Sequence, residues 1–353
     1  MAKIQMIRGQ LTSAPLTHPF TTAKHTVTEM DSVAVVVTLA DGRKGMGAAT
    51  PNEVVTGDTL ATTLAVINDV IAPALSGCDS ADFNALLARL QQCILYNTPA
   101  KAAVEIALYD LRAQQFGVPL ATLLGAAPKP IVTDFTIGIA SLDEMITTAK
   151  LRVAQGFTAL KLKLGTVPLA EDIARVTAIA DAVGHQIHLR LDANQAWSPK
   201  EACTAAAALA QSGLLIDFIE QPVAAVDLDG LARVTAASAI PIMADECVHS
   251  FRDAQAVVAK HAADYVNIKL MKTGGLRVAE QIDTLCAANG MACMLGCMIE
   301  SQVSIAAAVA FAVSHENVRF VDLDAVYMSE ERLGDPFLQL SGPTIALSHA
   351  QGL

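Results

Sequence analysis

Three short runs in this chain each carry apolar residues for one strand length and then stop on a carboxylate. Ile187-His188-Leu189-Arg190-Leu191 ends on Asp192, before Ala193-Asn194. Leu215-Ile216-Asp217-Phe218-Ile219 ends on Glu220, before Gln221-Pro222, and Ile240-Pro241-Ile242-Met243-Ala244 ends on Asp245, before Glu246. Residues two apart on a strand share a face, so Leu189 and Leu191 fall on one side and His188, Arg190 and Asp192 on the other. An acid that closes a strand and precedes a turn is poor packing material and a good ligand. Asp192 and Glu220 are 28 positions apart, and Glu220 and Asp245 are 25 apart. A strand-helix unit of a parallel barrel takes roughly 30 residues, so each interval holds one unit.

The flanking sequence repeats the same texture. Strand patterns fall over 131–137, 159–164, 187–192, 216–220, 240–245, 265–270, 291–297 and 318–322, with helical patterns between them, for example over 142–155, 170–183, 199–212 and 276–289. Eight strands with seven intervening helices point to a closed parallel barrel. A doubly wound open sheet is the alternative, but it does not explain acids ending three successive strands. Ahead of the repeats, residues 1 to 50 read as β, with a hairpin turn at Ala40-Asp41-Gly42 and a polar, loop-like connection over 19–26. Helical patterns follow over 59–75, 80–95 and 99–115, with Gly117 as a stop. The expected fold is α/β: a (β/α)7β TIM-like barrel over 126–324, with an α+β N-terminal capping domain over 1–125. Residues 325–353 lack another repeat and are expected to pack back on that domain and complete it.

Composition narrows the partners. Hydrophobic residues make up 53% and charged residues 17%, enough apolar material for a large core. A net charge of −11 argues against nucleic acid. The seven cysteines are odd in number with no C-x-x-C spacing, which suits reduced thiols. The N-terminus lacks the apolar core of a signal peptide, and no apolar run approaches the length of a membrane span. The expectation is a cytoplasmic protein with a small-molecule substrate and neither nucleic acid nor membrane as partner; a homo-oligomer stays open.

In such barrels the active site lies at the C-terminal strand ends. Three carboxylates on one rim cannot all stay ionised without a cation, and an incomplete set of hard oxygen ligands fits Mg²⁺. Each acid alone is as well read as a salt bridge or helix cap. Strand two ends Lys161-Leu162-Lys163, with both lysines on one face, and strand six ends on Lys269. Strands two and six face each other in an eight-membered ring, so Lys163 and Lys269 would flank a substrate as base and acid. The competing reading is that they only neutralise the acids. Strand eight ends Asp322-Leu323-Asp324, again two acids on one face.

The order K-x-K, D-A-N, E-Q-P, D-E, N-I-K-x-M-K-x-G-G and M-I-E-S resembles the enolase superfamily, and more closely its muconate-lactonizing subgroup, which contains dipeptide epimerases. The resemblance covers nearly the whole chain. It implies Mg²⁺ ligands at Asp192, Glu220 and Asp245, acid/base lysines at Lys163 and Lys269, and Lys161 beside the substrate carboxylate; a Lys base with Mg²⁺ is the general pattern of such sites. Asp322 and Asp324 resemble the D-x-D that holds a dipeptide ammonium, with Thr136 and Met298 also on the substrate-binding side. At the position where L-Ala-D/L-Glu epimerases offer an arginine, this chain has His25, next to Lys24. The implied reaction is Mg²⁺-dependent epimerisation of the C-terminal residue of a dipeptide, L-Ala-D/L-Glu or a related one. It would run by two-base 1,1-proton transfer through a metal-stabilised enediolate. Muconate cycloisomerase and o-succinylbenzoate synthase/N-acylamino acid racemase are the alternatives within the subgroup. Acid-sugar dehydratases are disfavoured, because they use a histidine where this chain has Cys297-Met298-Ile299-Glu300.

Two rivals lie outside the family: a metal-free aldolase with Lys163 as Schiff base, and a noncatalytic binding barrel. Thr273-Gly274-Gly275 before a helix could cradle a phosphate but reads better as packing. His188 is expected to be an interior histidine with its hydrogen bonds met.

Overall fold

The structure, a computed structural model, describes residues 2–331, 337–348 and 351–353. It begins with an antiparallel sheet of β1 (Ile4–Thr21), β2 (Thr26–Leu39) and β3 (Lys44–Ala49) in that order. The alternation in β2 sends Val33, Val35, Val37 and Leu39 into the core, each at most 1% exposed. Helix Thr98–Phe116 lies directly on β3. A Cβ at Gly47 would come within 1.9 Å of the Ala103 carbonyl oxygen, and one at Gly45 within 2.1 Å of that of Ala107. Glycine is therefore required there by the close approach of two backbones.

Two expectations for this region need correction. Half of the polar stretch over 19–26 is strand: β1 runs to Thr21 and β2 starts at Thr26, and residues 22–25 turn, closed by the Thr22 amide donating to the His25 carbonyl at 3.0 Å. The helical run over 59–75 forms, but with a π-helical stretch at Val66–Ile71 between α-helical Leu60–Ala65 and Ala72–Leu75.

The barrel is one eight-stranded parallel sheet: β5 (Phe135–Ile137), β6 (Ala159–Lys163), β7 (His188–Asp192), β8 (Ile216–Glu220), β9 (Ile242–Ala244), β10 (Tyr265–Lys269), β11 (Ala292–Gly296) and β12 (Val318–Asp322). An α-helix follows each strand but the last, which runs into a 3-10 turn at Asp324–Tyr327. The helices over Leu142–Ala154 and Pro199–Ala210 start at serine capping boxes, Ser141 with Glu144 and Ser198 with Glu201. Helix Gln302–Ser314 is apolar on all sides, since it is wedged between the barrel, β3 and the C-terminal sheet.

The first predicted barrel strand splits in two. Ile131–Val132 is a separate strand, β4, which pairs with β14 (Thr344–Leu347) in a small sheet with β13 (Leu338–Ser341); only Phe135–Ile137 joins the barrel. The chain end returns to the first region, where the Leu120 amide donates to the Gly352 carbonyl at 2.6 Å.

The turn Thr273-Gly274-Gly275 receives a carboxyl group of the protein itself. Glu105, fully buried on helix Thr98–Phe116, reaches the N-terminus of helix Leu276–Ala288. The Arg277 amide donates to Glu105 Oε1 at 2.7 Å, and Gln91 Nε2 donates to Oε2 at 3.0 Å and to the Gly274 carbonyl at 2.9 Å. A Cβ on Gly275 would fall 2.4 Å from Glu105 Cδ. The glycine pair thus admits a carboxyl group from the first region as cap of a barrel helix.

Candidate active site

Asp192 and Glu220 end β7 and β8, and Asp245 directly follows β9. All three are at most 1% exposed, and one carboxylate oxygen from each lies within 4.8 Å of the others. Burial drives every carboxyl here toward its neutral form, so each ionised state depends on nearby cations. Against burial, Lys163 and Lys161 hold Asp192 below the usual carboxylate range, and Lys269, Lys272 and Lys161 hold Asp245 well below it. Glu220 goes the other way. Burial and the charge of Asp192 push it up to about 8, with Lys161 opposing. Its Oε1 accepts from Asn267 Nδ2 at 2.8 Å. Its Oε2 lies 2.7 Å from Lys161 Nζ at an angle that makes no hydrogen bond, and is buried without a donor. Three buried carboxylates, one short of positive charge and with an orphaned oxygen, are a donor set that fits Mg²⁺.

The lysines sit on these acids. Lys163 Nζ is 2.5 Å from Asp192 Oδ2, and Lys269 Nζ is 2.8 Å from Asp245 Oδ2. They come from β6 and β10, the second and sixth barrel strands, and so approach from facing sides of the ring. Burial disfavours the Lys269 ammonium, but Asp245 more than restores it and raises its pKa. Lys161, 1% exposed, stands between two acid groups: 2.7 Å from Glu220, 3.3 Å from Asp192 and 2.8 Å from Asp322 Oδ2.

The second acid group is Asp134, Asp322 and Asp324, whose oxygens also lie within 4.8 Å of one another. The pair on strand eight is electrostatically split. Lys161 overcomes burial and holds Asp322 below the usual range, whereas burial and the charge of Asp322 push Asp324 up to about 7. Thr136 serves both: its amide donates to Asp324 Oδ2 at 2.5 Å and its hydroxyl to Asp322 Oδ1 at 3.2 Å.

The cavity over these groups is lined from the barrel by Cys297, Met298 and Ile299, and from the first region by Phe20, Lys24, His25 and Val55. His25 packs between Asn52 Nδ2, 3.2 Å from its Nε2, and Thr22 Oγ1, 3.4 Å from its Nδ1. Burial and the charge of Lys163 lower its pKa, favouring the uncharged imidazole, with Glu53 opposing. Lys24 is exposed on the rim.

All twelve residues expected at the site lie in or around this cavity. Sequence reasoning gave no role to Lys272, whose fully buried ammonium donates to Asp245 Oδ1 at 2.6 Å and to the Asn267 carbonyl at 3.0 Å. Nor did it assign Asn267, which orients Glu220, or Glu246, which accepts from Asn194 Nδ2 at 3.2 Å. The quoted motifs contain all three, and that was the one available signal. His188 differs from expectation: it shares the inner face with Asp192 but sits at the opposite, N-terminal end of its strand, exposed and bonded to Asp217 Oδ1 at 2.6 Å.

Comparison with known proteins matches both regions to families. Residues 6–125 match the mandelate racemase / muconate lactonizing enzyme N-terminal domain, and residues 144–353 match the enolase C-terminal domain-like family. The chain is 43% identical over 351 residues to the L-Ala-D/L-Glu epimerase of Bacillus subtilis, covering 99% of this chain and 96% of that one. The substrate-liganded structure of the Bacillus subtilis L-Ala-D/L-Glu epimerase superposes with a TM-score of 0.97, at 43% identity, over 99% of this chain and 98% of that one. The Enterococcus faecalis V583 dipeptide epimerase, complexed with Mg and L-Leu-L-Tyr, superposes with a TM-score of 0.95 at 38% identity, again over 99% and 98%.

Proposed function

The chain belongs to the mandelate racemase / muconate lactonizing enzyme family of the enolase superfamily and, with its epimerase relatives, is an isomerase; we propose that it inverts the C-terminal α-carbon of a dipeptide. The observation that carries this reading is the placement of Lys163 and Lys269. They stand on facing strands, each beside one acid of a three-carboxylate cluster.

Mg²⁺, held by Asp192, Glu220 and Asp245, would supply positive charge against the substrate carboxylate and so acidify the α-proton. The chain's own residues do the rest. One lysine, in its neutral form, takes the α-proton from one face of the substrate. The electron pair of the broken C–H bond moves onto the carboxylate as an enediolate, whose charge faces the Lys161 ammonium. The opposite lysine, as ammonium, returns a proton to the other face. Which lysine starts depends on which diastereomer is bound, and no covalent intermediate is needed.

Asp322 and Asp324 take the substrate ammonium. A carboxylate held ionised beside a second acid meets –NH₃⁺ with charge-assisted hydrogen bonds, and Thr136 fixes both acids from below. Cycloisomerisation of muconate and synthesis of succinylbenzoate involve no such amine. At the rim Lys24 is the cation available to an acidic side chain, as in a dipeptide of the Ala-Glu kind, with His25 beside it.

The test is α-proton exchange. The protein is incubated with Mg²⁺ in D₂O and a panel of L,L-dipeptides that includes Ala-Glu, Ala-Leu and Leu-Tyr. One deuterium gained at the C-terminal residue, lost on adding EDTA, is the expected result. No uptake from any member would refute the reading.

A further inference from the structure

The barrel closes between β5 and β12 without a strand ladder among the described residues. One backbone hydrogen bond crosses this seam, from the Asp134 amide to the Val321 carbonyl at 3.3 Å. Buried side chains supply the rest. Arg190 Nη1 donates to the same Val321 carbonyl at 2.9 Å and to Asp134 Oδ2 at 2.7 Å, while its Nε donates to Asp217 Oδ2 at 3.2 Å. Its guanidinium lies 5.1 Å from the centre of the Phe320 ring, which fixes the plane of the fork. Thr133 Oγ1, 1% exposed, accepts from the Leu323 amide at 2.9 Å. The two anchors bracket Asp322: Arg190 holds the carbonyl before it and Thr133 the amide after it.

We propose that Arg190 and Thr133 are positioning residues for the amine-binding acids, fixing the end of strand eight so that Asp322 and Asp324 meet the substrate ammonium. The proposal rests on the reading of those acids given above. Its physical basis is twofold. Elsewhere in the barrel a ladder on each side sets where a strand ends; here β11 holds one side, through the Gly296–Asp322 pair, and side chains hold the side facing β5. Asp134 also stands among Asp322 and Asp324 with Oδ1 lacking a donor, and Arg190 is the cation that faces it. Lysine cannot replace this arginine, because three acceptors in different directions need a planar fork.

The test compares two probes: L-Ala-L-Glu, and N-propanoyl-L-glutamate, in which the amine is replaced by hydrogen. In Arg190→Lys the KM for the dipeptide is expected to rise about tenfold or more, as for the loss of a well-placed charge-assisted contact. The turnover number and the inhibition constant of the propanoyl analogue should each move by less than about threefold. Thr133→Val deletes one acceptor without a change of charge or size, and should move the same quantity in the same direction, by about threefold to tenfold. A rise of KM and inhibition constant together in both variants, or no change of KM in either, overturns the proposal. The wild-type enzyme separates this from the underlying reading: if it binds the analogue as tightly as the dipeptide, the assignment of the amine site fails first.

Discussion

Lys161 Nζ stands 2.8 Å from Asp322 Oδ2 while also touching Glu220 at 2.7 Å, so one ammonium joins the acids on strands three and four to the acid pair on strand eight. The two halves of the proposed substrate, carboxylate and amine, are thereby given a common reference point. Removing one partner of a buried ionic cluster leaves uncompensated charge, at about 3–5 kcal/mol. Lys161→Met should therefore lose α-proton exchange by at least about 10³-fold and lower thermal stability, since a lost oxyanion donor alone costs about 10²–10³. Melting curves and exchange rates on the same preparation check both. Retention of exchange within about tenfold would remove Lys161 from the mechanism.

Metal should stabilise as well as activate. A ligand that binds only the folded state at about 100 times its Kd adds about 2.7 kcal/mol. Mg²⁺ should raise the melting temperature of the wild-type protein, and the rise should vanish in Asp245→Asn. Equal shifts in both proteins would place the ion elsewhere.

The Glu105 cap predicts a pH dependence of stability. Burial pushes its carboxyl up to about 7 against hydrogen bonds from Arg277 and Gln91. An unfolded chain gives it the ordinary value of about 4.3. Between these values the folded state holds the extra proton. The contribution is fully present below the lower value and is lost as pH rises through about 7, on the order of 3 kcal/mol in all. Urea unfolding at pH 5 and pH 8 should show this loss in the wild-type protein and a smaller one in Glu105→Gln. Identical pH profiles would contradict it.

At the rim, Lys24→Met should raise the KM for L-Ala-L-Glu about tenfold and leave L-Ala-L-Leu unchanged, because a single charge-assisted contact is removed. His25→Gln should affect both substrates alike. The reverse pattern would make the histidine the side-chain selector.

Much of this was legible because the chemistry lies on strands. Period-2 alternation put Lys161 with Lys163 and Asp322 with Asp324, and the spacing of Asp192, Glu220 and Asp245 placed them on successive strand ends. Other features depend on contacts that no local pattern records. Lys272 lies in a short helical turn, where a lysine looks like surface, yet it points back to Asp245. Arg190 reads as one more inward residue until its partners on β8, on β12 and just ahead of β5 are seen. The strand over 131–137 broke because its first residues pair with β14, more than 200 positions away. His188 has the right face and the wrong end: periodicity gives direction, but not depth along the barrel axis.

The central claim is that two lysines work from opposite faces, and face-resolved exchange tests it most directly. Lys163→Ala and Lys269→Ala are each incubated in D₂O with Mg²⁺ and, separately, with L-Ala-L-Glu and L-Ala-D-Glu. Neither variant should interconvert the diastereomers. Each should still exchange the α-proton of one diastereomer, and the two variants should retain opposite ones. Exchange of both diastereomers by either variant, or retention of the same one by both, would contradict the two-base account.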